Sequence, residues 1–274
     1  MRSLPAQFRR LIPEGIRAAL EKVRSPTAQY HISRRLLQQL SYTHIEQLVS
    51  LEGALKRTFY ETECLRGNWS VRELKRQIAS LYFERSGLSH DKTTLAQLAR
   101  SGGGKALDRL AIRDPYVFEF LGLKPQEVMS ESHLEDQLLD KLQGFLLELG
   151  HGFCFEARQK RILIGNTYGF VDLVFYNRIL KCHVLIDLKL EEFSHENIGQ
   201  LNTYVTWYRK HMMTEGDNPP VGILLCARKD HALAEYALAG IDNKLFVSKY
   251  QLHLPDREQL RRELERSLKE EAEG

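Results

Sequence analysis

The 274-residue chain is poor in cysteine and lacks any long apolar run. Its cysteines occur without a CxxC pair, which argues against a zinc ribbon or a disulfide framework and favours reduced thiols. No run reaches the roughly 18 apolar residues of a membrane span. The basic N-terminus has no continuous apolar core and no small-residue cleavage site, so no signal peptide is predicted. We therefore expect a cytoplasmic protein without membrane contacts.

The net charge of +3 conceals an asymmetry along the chain. Residues 1–113 contain 20 Lys and Arg against 10 Asp and Glu, whereas residues 114–274 contain 19 against 26. Fifteen of the first twenty cations are Arg, which binds phosphate through two parallel hydrogen bonds. The N-terminal part is thus a candidate nucleic-acid surface. A solvated basic face, or docking of the basic half on the acidic half, would have the same composition.

The N-terminal part is predicted to be mostly α-helical. Residues 1–28 form a basic lead-in, and apolar side chains recur at helical spacing from His31 to Cys64. Ser70 and Glu73 form a capping box that begins a helix extending to about Arg85. Residues 29–100 are consistent with a helical DNA-binding domain and equally with a structural bundle. The candidate nucleic-acid contacts are cations of the last helix: Arg72, Lys75, Arg76 and Arg85.

A glycine-rich segment, Ser101–Lys105, lies where the sign of the charge changes. Glycines before a lysine are typical of a phosphate-binding loop. Here Ala106 replaces the metal-binding Ser or Thr, no strand precedes the segment, and the spacing differs. We interpret residues 101–113 as a linker.

Residues 114–255 are predicted to form an α/β domain with a mixed sheet flanked by helices. A helix over Ser130–Gly150 precedes short strands, a hairpin, a helix over Ser194–His211 and a buried strand over Val221–Cys226. Residues 256–274 then form a charged amphipathic helix, which is a candidate cap or dimer interface.

The central hairpin, Gly169–Glu191, contains the most informative residues. Asp172 interrupts its first apolar run and Asp187 its second, and Lys189 shares a strand face with Asp187 because side chains alternate. A carboxylate in such a run is costly unless it is paired, hydrogen-bonded or bound to a metal. A buried Asp–Lys salt bridge is one interpretation and an active site is the other.

The order Asp172, fourteen intervening residues, then Asp187-x-Lys189 resembles the PD-(D/E)XK nuclease superfamily. Gln200 and Tyr204 resemble the Q-x-x-x-Y element that follows this motif in the RecB-like and Holliday-junction-resolvase-like branches, where both side chains line the active site.

The resemblance extends to the bacterial YhcG-like nuclease family from about Leu37 to Pro255. The similar pieces include NWSVRELKRQI, VDLVFYNRILKC, IDLKLEEF and GQLNTY. Two departures are visible: Asp187 stands where the family usually has Glu, and the segment upstream of Leu37 is shorter. The resemblance implies a restriction-endonuclease-like α/β fold preceded by a helical or winged-helix-like DNA-binding module.

The implied chemistry is metal-dependent hydrolysis of DNA. Phosphodiester hydrolysis needs neutralised phosphate oxygens, an activated water and a stabilised leaving oxygen, which Mg²⁺, or Mn²⁺ in its place, supplies. One or two carboxylates suffice to hold Mg²⁺. The expected metal ligands are Asp172, Asp187, Glu135 of the preceding helix and the Leu188 backbone carbonyl. The expected catalytic residues are Asp172, Asp187, Lys189, Glu135, Gln200 and Tyr204.

We therefore expect a Mg²⁺-dependent DNA endonuclease that acts in bacterial DNA processing, recombination or defence. The alternative is a catalytically weak or inactive DNA-binding or assembly protein that keeps a nuclease fold. DNA is the expected partner and RNA stays open as a substrate. A homodimer would fit, because cutting both strands of a duplex often takes two sites.

Overall fold

The computed structural model describes residues 39–88, 112–128 and 130–254. Of these, residues 39–78 belong to one structural unit, and residues 79–88, 112–128 and 130–254 belong to a second. The predicted lead-in 1–28, most of the linker 101–113 and the helix 256–274 lie outside the described residues. Those domain boundaries stay predictions. Among the described residues, no helix has both the length and the apolar character needed to cross a membrane.

The described part of the first unit is helical, as predicted. Its helices are α1 (Tyr42–Val49), α2 (Ala54–Gly67) and α3 (Val71–Ala79). The capping box of α3 is confirmed: the Ser70 N–H donates to Glu73 Oε2 at 2.5 Å, and the Glu73 N–H donates to Ser70 Oγ at 3.2 Å. These two bonds satisfy backbone donors that a helix start leaves free.

The predicted helix through Arg85 is wrong in its length. α3 ends at Ala79 because Leu81 has left-handed backbone angles (φ 55°), and a new helix, α4 (Tyr82–Leu88), follows. Arg85 is buried, donates from Nε to the Ser80 carbonyl at 2.6 Å and forms an ion pair with the buried Glu148. Its guanidinium therefore has no access to phosphate, which removes Arg85 from the predicted nucleic-acid contacts. The remaining positions are exposed or partly exposed on α3: Arg72, Lys75 and Arg76.

The second unit contains a six-stranded mixed sheet. Its strands are β1 (Tyr116–Val117), β2 (Phe153–Ile164), β3 (Thr167–Asn177), β4 (Cys182–Glu192), β5 (Val221–Arg228) and β6 (Lys244–Gln251). Their order across the sheet is β1-β6-β5-β4-β3-β2. β2, β3 and β4 pair antiparallel, whereas β4, β5, β6 and β1 pair parallel. The hairpin predicted over Gly169–Glu191 is the β3–β4 pair at the centre of this sheet.

Helices cover both faces of the sheet, so the predicted α/β class is confirmed. Two short 3₁₀ turns (Glu119–Leu121 and Pro125–Glu127) precede α5 (Glu131–Asp140) and α6 (Leu142–Leu149), and α7 (His195–His211) and α8 (His231–Leu238) follow later in the chain. α5 and α6 bury Leu138 and Phe145 on one face, and α7 buries Leu201 and Val205 on the other.

Two predicted elements differ in extent. The helix expected over Ser130–Gly150 is divided at Lys141, whose backbone angles (φ −111°, ψ 33°) are not helical. The short strands expected after it are one twelve-residue strand, β2, with a bulge between Phe155 and Ala157.

Candidate active site

The predicted acidic residues meet where β4 separates from β3. The two strands stay paired as far as Leu173 and Ile186, and beyond that point β4 pairs only with β5. The Leu188 N–H then has no β3 carbonyl opposite it and donates to Asp172 Oδ2 at 2.8 Å. The Asp172 carboxylate therefore satisfies a buried backbone donor that the separation would leave unpaired.

Asp187 and Lys189 project from the same face of β4, as their spacing predicts. Lys189 Nζ lies 3.2 Å from Asp187 Oδ2, and it donates to Glu131 Oε2 at 3.3 Å. Glu131 was not predicted as a site residue. It opens α5 one turn before Glu135, a spacing that places both side chains on the same helix face. That spacing is the signal that could have identified it.

Glu135 is buried at the site, whereas its neighbour Asp136 is at the surface. Arg158 donates from Nε to Glu135 Oε2 at 3.0 Å and also pairs with Asp136. Gln159 donates from the same amide nitrogen to Glu135 Oε1 at 2.7 Å and to Asp172 Oδ1 at 3.0 Å. The structure thus joins Glu135 and Asp172 through Gln159, a residue that the sequence pattern did not identify.

The backbone around Gln159 departs from regular strand geometry. Residues two apart in a regular strand share a face. In β3, however, Val171 packs under α7 while Leu173 packs on the opposite face under α5 and α6, so the alternation breaks at Asp172. The strand register places Gln159 opposite Asp172, and Gln159 has φ +45°. A left-handed non-glycine residue costs roughly 1–2 kcal/mol, and such strain clusters at functional sites.

The carboxylates of the site hold their protons more tightly than free carboxylates do. Burial, reinforced by the neighbouring Asp187 charge, raises the pKa of Asp172 to about 7. Burial also raises the pKa of Asp187, although the Lys189 charge opposes this shift. Burial likewise raises the pKa of Glu135 despite the hydrogen bond from Gln159. Clustered acids with raised pKa values are typical of functional sites.

The pKa of Lys189 is decided by neighbouring charges rather than by burial. Burial alone would lower its pKa, but the charges of Asp187, Asp172 and Glu131 raise it, and the net shift is upward. Lys189 is therefore a cation at neutral pH.

The two aspartates fit a hard divalent cation. Asp187 Oδ2 is buried, and the Lys189 ammonium lies 3.2 Å from it. A buried, negatively charged oxygen in this state suits a metal ligand. Within the described ranges no group of three or more His, Cys, Asp or Glu side chains is arranged to hold a metal. Mg²⁺ needs only one or two carboxylates and keeps several waters, and the buried pair Asp172 and Asp187 fits this requirement.

Comparison with known proteins identifies the family of the chain. Residues 109–266, more than half of the chain, match the YhcG PDDEXK nuclease domain, and residues 2–85 match the DUF1016 N-terminal domain. The chain belongs to the YhcG PDDEXK nuclease family. Nucleases of this superfamily generally use divalent metal ions.

One relative of this YhcG-family chain is the YhcG protein of Escherichia coli (strain K12), whose own assignment as a nuclease is provisional. The two are 44% identical over 221 residues, which cover 81% of this chain and 58% of that protein. The chain therefore spans less than two thirds of that relative's length.

Two solved structures are similar to this chain over about half of its length. An EndoMS–double-stranded-DNA complex has a TM-score of 0.32 and 21% identity, over 47% of this chain and 46% of that one. A repair endonuclease from Pyrococcus abyssi has a TM-score of 0.32 and 20% identity, over 46% and 48%.

In this YhcG-family domain, Gln200 and Tyr204 lie beside β3 rather than on the carboxylates. Gln200 Nε2 donates to Tyr204 Oη at 2.5 Å. A Cβ added at Gly169 would lie 2.7 Å from the Tyr204 ring, so only glycine lets β3 approach α7 this closely. Within the described part of the chain, neither side chain hydrogen-bonds to Asp172 or Asp187. Their predicted catalytic role stays a prediction.

Proposed function

We propose that this chain is a divalent-metal-dependent DNA nuclease, with Mg²⁺ as its ion and Mn²⁺ as a substitute. The observation that supports this most directly is the pair of buried aspartates beside Lys189 where β3 and β4 separate. Its motif order and its place in a nuclease family point to the same chemistry. A structural salt bridge explains Asp187 with Lys189, and the bond from the Leu188 N–H explains one oxygen of Asp172, but neither explains why two buried acids lie side by side.

Asp172 and Asp187 would hold the ion, with the Leu188 carbonyl as a third ligand. Glu135, predicted as a further metal ligand, would instead support Asp172 through Gln159, because both of its carboxylate oxygens already accept hydrogen bonds from Arg158 and Gln159. When bound, the ion supplies charge neutralisation for the phosphate and makes water more acidic. Arg158 and Gln159 keep Glu135 and Asp172 in place. The Leu188 N–H keeps Asp172 Oδ2 directed into the gap.

Lys189 orients the attacking water and stabilises negative charge on the phosphate. Because its pKa is raised, it carries a proton throughout the neutral range and is not the base that takes a proton from water. An ammonium in a partly buried site stabilises developing negative charge more strongly than it would in water.

DNA is the proposed substrate because the N-terminal part is rich in Arg and the chain is similar to a nuclease family. The candidate backbone contacts are the exposed Arg72 and Lys75 and the partly exposed Arg76 of α3. The alternative is a DNA-binding or assembly protein without useful catalysis. It predicts binding that weakens with salt and no cutting with any metal.

A cleavage assay with the full chain distinguishes these proposals. Labelled single-stranded, duplex, flap, fork and four-way-junction DNAs would be incubated with Mg²⁺, Mn²⁺ or EDTA. We expect metal-dependent cutting by the wild type and a loss of about 10³-fold or more in Asp187→Ala. Asp242→Asn, which changes an exposed acid on the surface, is the matched control and should cut normally. Equal cutting by Asp187→Ala and the wild type would contradict the proposed site.

A further inference from the structure

The β2–β3 hairpin next to the site has one covered face and one open face. On the covered face, Ile162 and Val171 are buried against α7. Trp207 of α7 also donates to the Leu163 carbonyl at 2.9 Å, which holds the end of β2 to that helix. The other face carries the exposed side chains of Arg161, Leu163, Tyr168 and Phe170, referred to below as the hairpin patch.

The strand register brings the hairpin patch together. Arg161 lies directly opposite Phe170, and Leu163 lies directly opposite Tyr168, so all four side chains share one face. Leu163 is 50% exposed, Tyr168 55% and Phe170 46%. The Arg161 guanidinium lies 4.9 Å from the centre of the Tyr168 ring, at cation–π distance. Exposed apolar side chains that adjoin in this way are a mark of interaction sites.

The hairpin patch lies farther along β3 from Asp172, on the sheet face away from α7. Phe170 lies two residues before Asp172, and Tyr168 lies four residues before it. At about 3.3 Å per residue, the Cα atom of Phe170 lies roughly 7 Å along the strand from that of Asp172, and the Cα atom of Tyr168 roughly 13 Å. A substrate strand that runs along this face of β3 toward Asp172 would pass over both rings.

The charge around the hairpin patch favours a polyanion. Residues 157–171 contain three cations and no acid. Arg158 is paired with Glu135 and Asp136. Arg161 forms no ion pair within residues 39–88, 112–128 and 130–254, whereas Lys160, one residue earlier on β2, lies on the covered face with Ile162. A second copy of this chain docked on the same patch by two-fold symmetry would bring like charges together, whereas phosphate would neutralise them.

We propose that the hairpin patch binds unpaired nucleotides of the substrate strand next to the phosphate that is cut. Exposed flat rings beside cations suit base stacking combined with phosphate contacts. Bases inside a duplex are already stacked and cannot reach such rings. The choice of a nucleic acid as partner rests on the proposed nuclease function. Binding of unpaired nucleotides at the hairpin patch would restrict the substrate to DNA with a single-stranded segment beside the cut, such as forks and flaps.

The test measures DNA binding by the full chain in EDTA, where no cutting occurs. The probes are a labelled single strand, a fork with unpaired arms and a blunt duplex, followed by fluorescence anisotropy. Phe170→Leu and Tyr168→Leu keep apolar bulk but remove the ring, whereas Phe170→Trp keeps a ring. Tyr236→Leu is the matched control, because Tyr236 is 81% exposed on α8, away from the hairpin.

We expect Phe170→Leu and Tyr168→Leu each to weaken binding of the single strand and the fork about ten-fold, as for the loss of one stacked base. The affinities of Phe170→Trp and Tyr236→Leu for all three probes should change little. The affinity of every variant for the blunt duplex should also change little. Unchanged binding in the leucine variants would overturn the proposal, as would an equal loss on all three probes. Unchanged binding combined with a dimer that becomes a monomer by light scattering would assign the patch to a second copy instead.

Failure of this proposal and failure of the nuclease function give different results. If the wild type cuts a fork with Mg²⁺ and Phe170→Leu binds and cuts it equally well, the hairpin patch is not a substrate surface and the nuclease function stands. If no metal supports cutting but the leucine variants lose binding of the single strand and the fork as expected, the hairpin patch is confirmed as a binding surface and the nuclease function is contradicted.

Discussion

The Leu188 N–H donates to Asp172 Oδ2 at 2.8 Å across the gap that opens between β3 and β4. The same carboxylate thus has a structural role, as acceptor for a buried backbone donor, and a proposed chemical role, as a metal ligand. Two substitutions at this position separate these roles, because an amide keeps an acceptor oxygen and a methyl group does not.

We expect Asp172→Asn and Asp172→Ala both to abolish cutting, and the alanine variant to lose more stability. Asp172→Ala leaves the Leu188 N–H unsatisfied, which costs about 1–3 kcal/mol of unfolding free energy. Asp172→Asn keeps an acceptor for the Leu188 N–H but turns an amide NH₂ toward Gln159 Nε2, so it should lose less stability than the alanine variant in EDTA. Urea unfolding beside a cleavage assay measures both effects. An asparagine variant as unstable as the alanine variant would contradict the structural role.

Lys189→Met should separate metal binding from catalysis. The substitution removes the cation that orients water, so we expect cutting to fall about 10²–10³-fold. Divalent-ion binding should be kept or strengthened, because a competing positive charge beside Asp187 is lost. Calorimetric titration with Mn²⁺ measures the binding, and Lys210→Met, an exposed lysine on α7, is the control. Loss of ion binding in Lys189→Met would show that the ammonium holds the carboxylates in place instead.

Gln159 offers a test of the strained bridge between Glu135 and Asp172. Gln159→Leu and Gln159→Gly both remove the amide, so both should weaken cutting and ion binding about ten-fold or more. The glycine variant should nevertheless be the more stable of the two by about 1 kcal/mol, because φ +45° is unstrained for glycine. Thermal unfolding and Mn²⁺ titration report the two effects. A leucine variant with wild-type ion binding would remove Gln159 from the site.

Without a divalent ion, the fold should lose stability as the pH rises from about 4 to about 7. In the folded chain the pKa of Asp172 is about 7, against an ordinary value of 3.8. Between these values the folded state binds the extra proton, so the unfolding free energy falls with rising pH, by up to about 1.4 kcal/mol per pH unit. Above pH 7 this contribution levels off.

Urea unfolding in EDTA across this range checks the slope. Asp172→Asn should reduce the slope, and Asp242→Asn, at an exposed position, should not. Adding Mg²⁺ should stabilise the wild type more at pH 8 than at pH 6, because metal ligands must be deprotonated. A stability profile that rises through the same window would show that the carboxylates are ionised in the ion-free fold.

Local patterns in the sequence determined most of the elements. The alternation and β-branched content around Asp172 and Asp187 predicted the central hairpin, and the spacing of Asp187 and Lys189 placed both on one face. Ser70 and Glu73 marked the start of α3. These features depend on neighbours a few residues apart, so the sequence alone contains the information that specifies them.

Tertiary structure decided which of those side chains form one site. Glu131 contacts the site because α5 brings it to Lys189. Gln159 reaches the site from β2, where it has a left-handed backbone angle opposite β3. Arg85 was predicted to contact phosphate because it is a cation of a basic helix. It pairs instead with Glu148, 63 residues away along the chain. The direction of the Lys189 pKa shift depends on acids from three elements. Partners this distant in sequence leave no local pattern, because their approach depends on how the whole sheet and its helices pack.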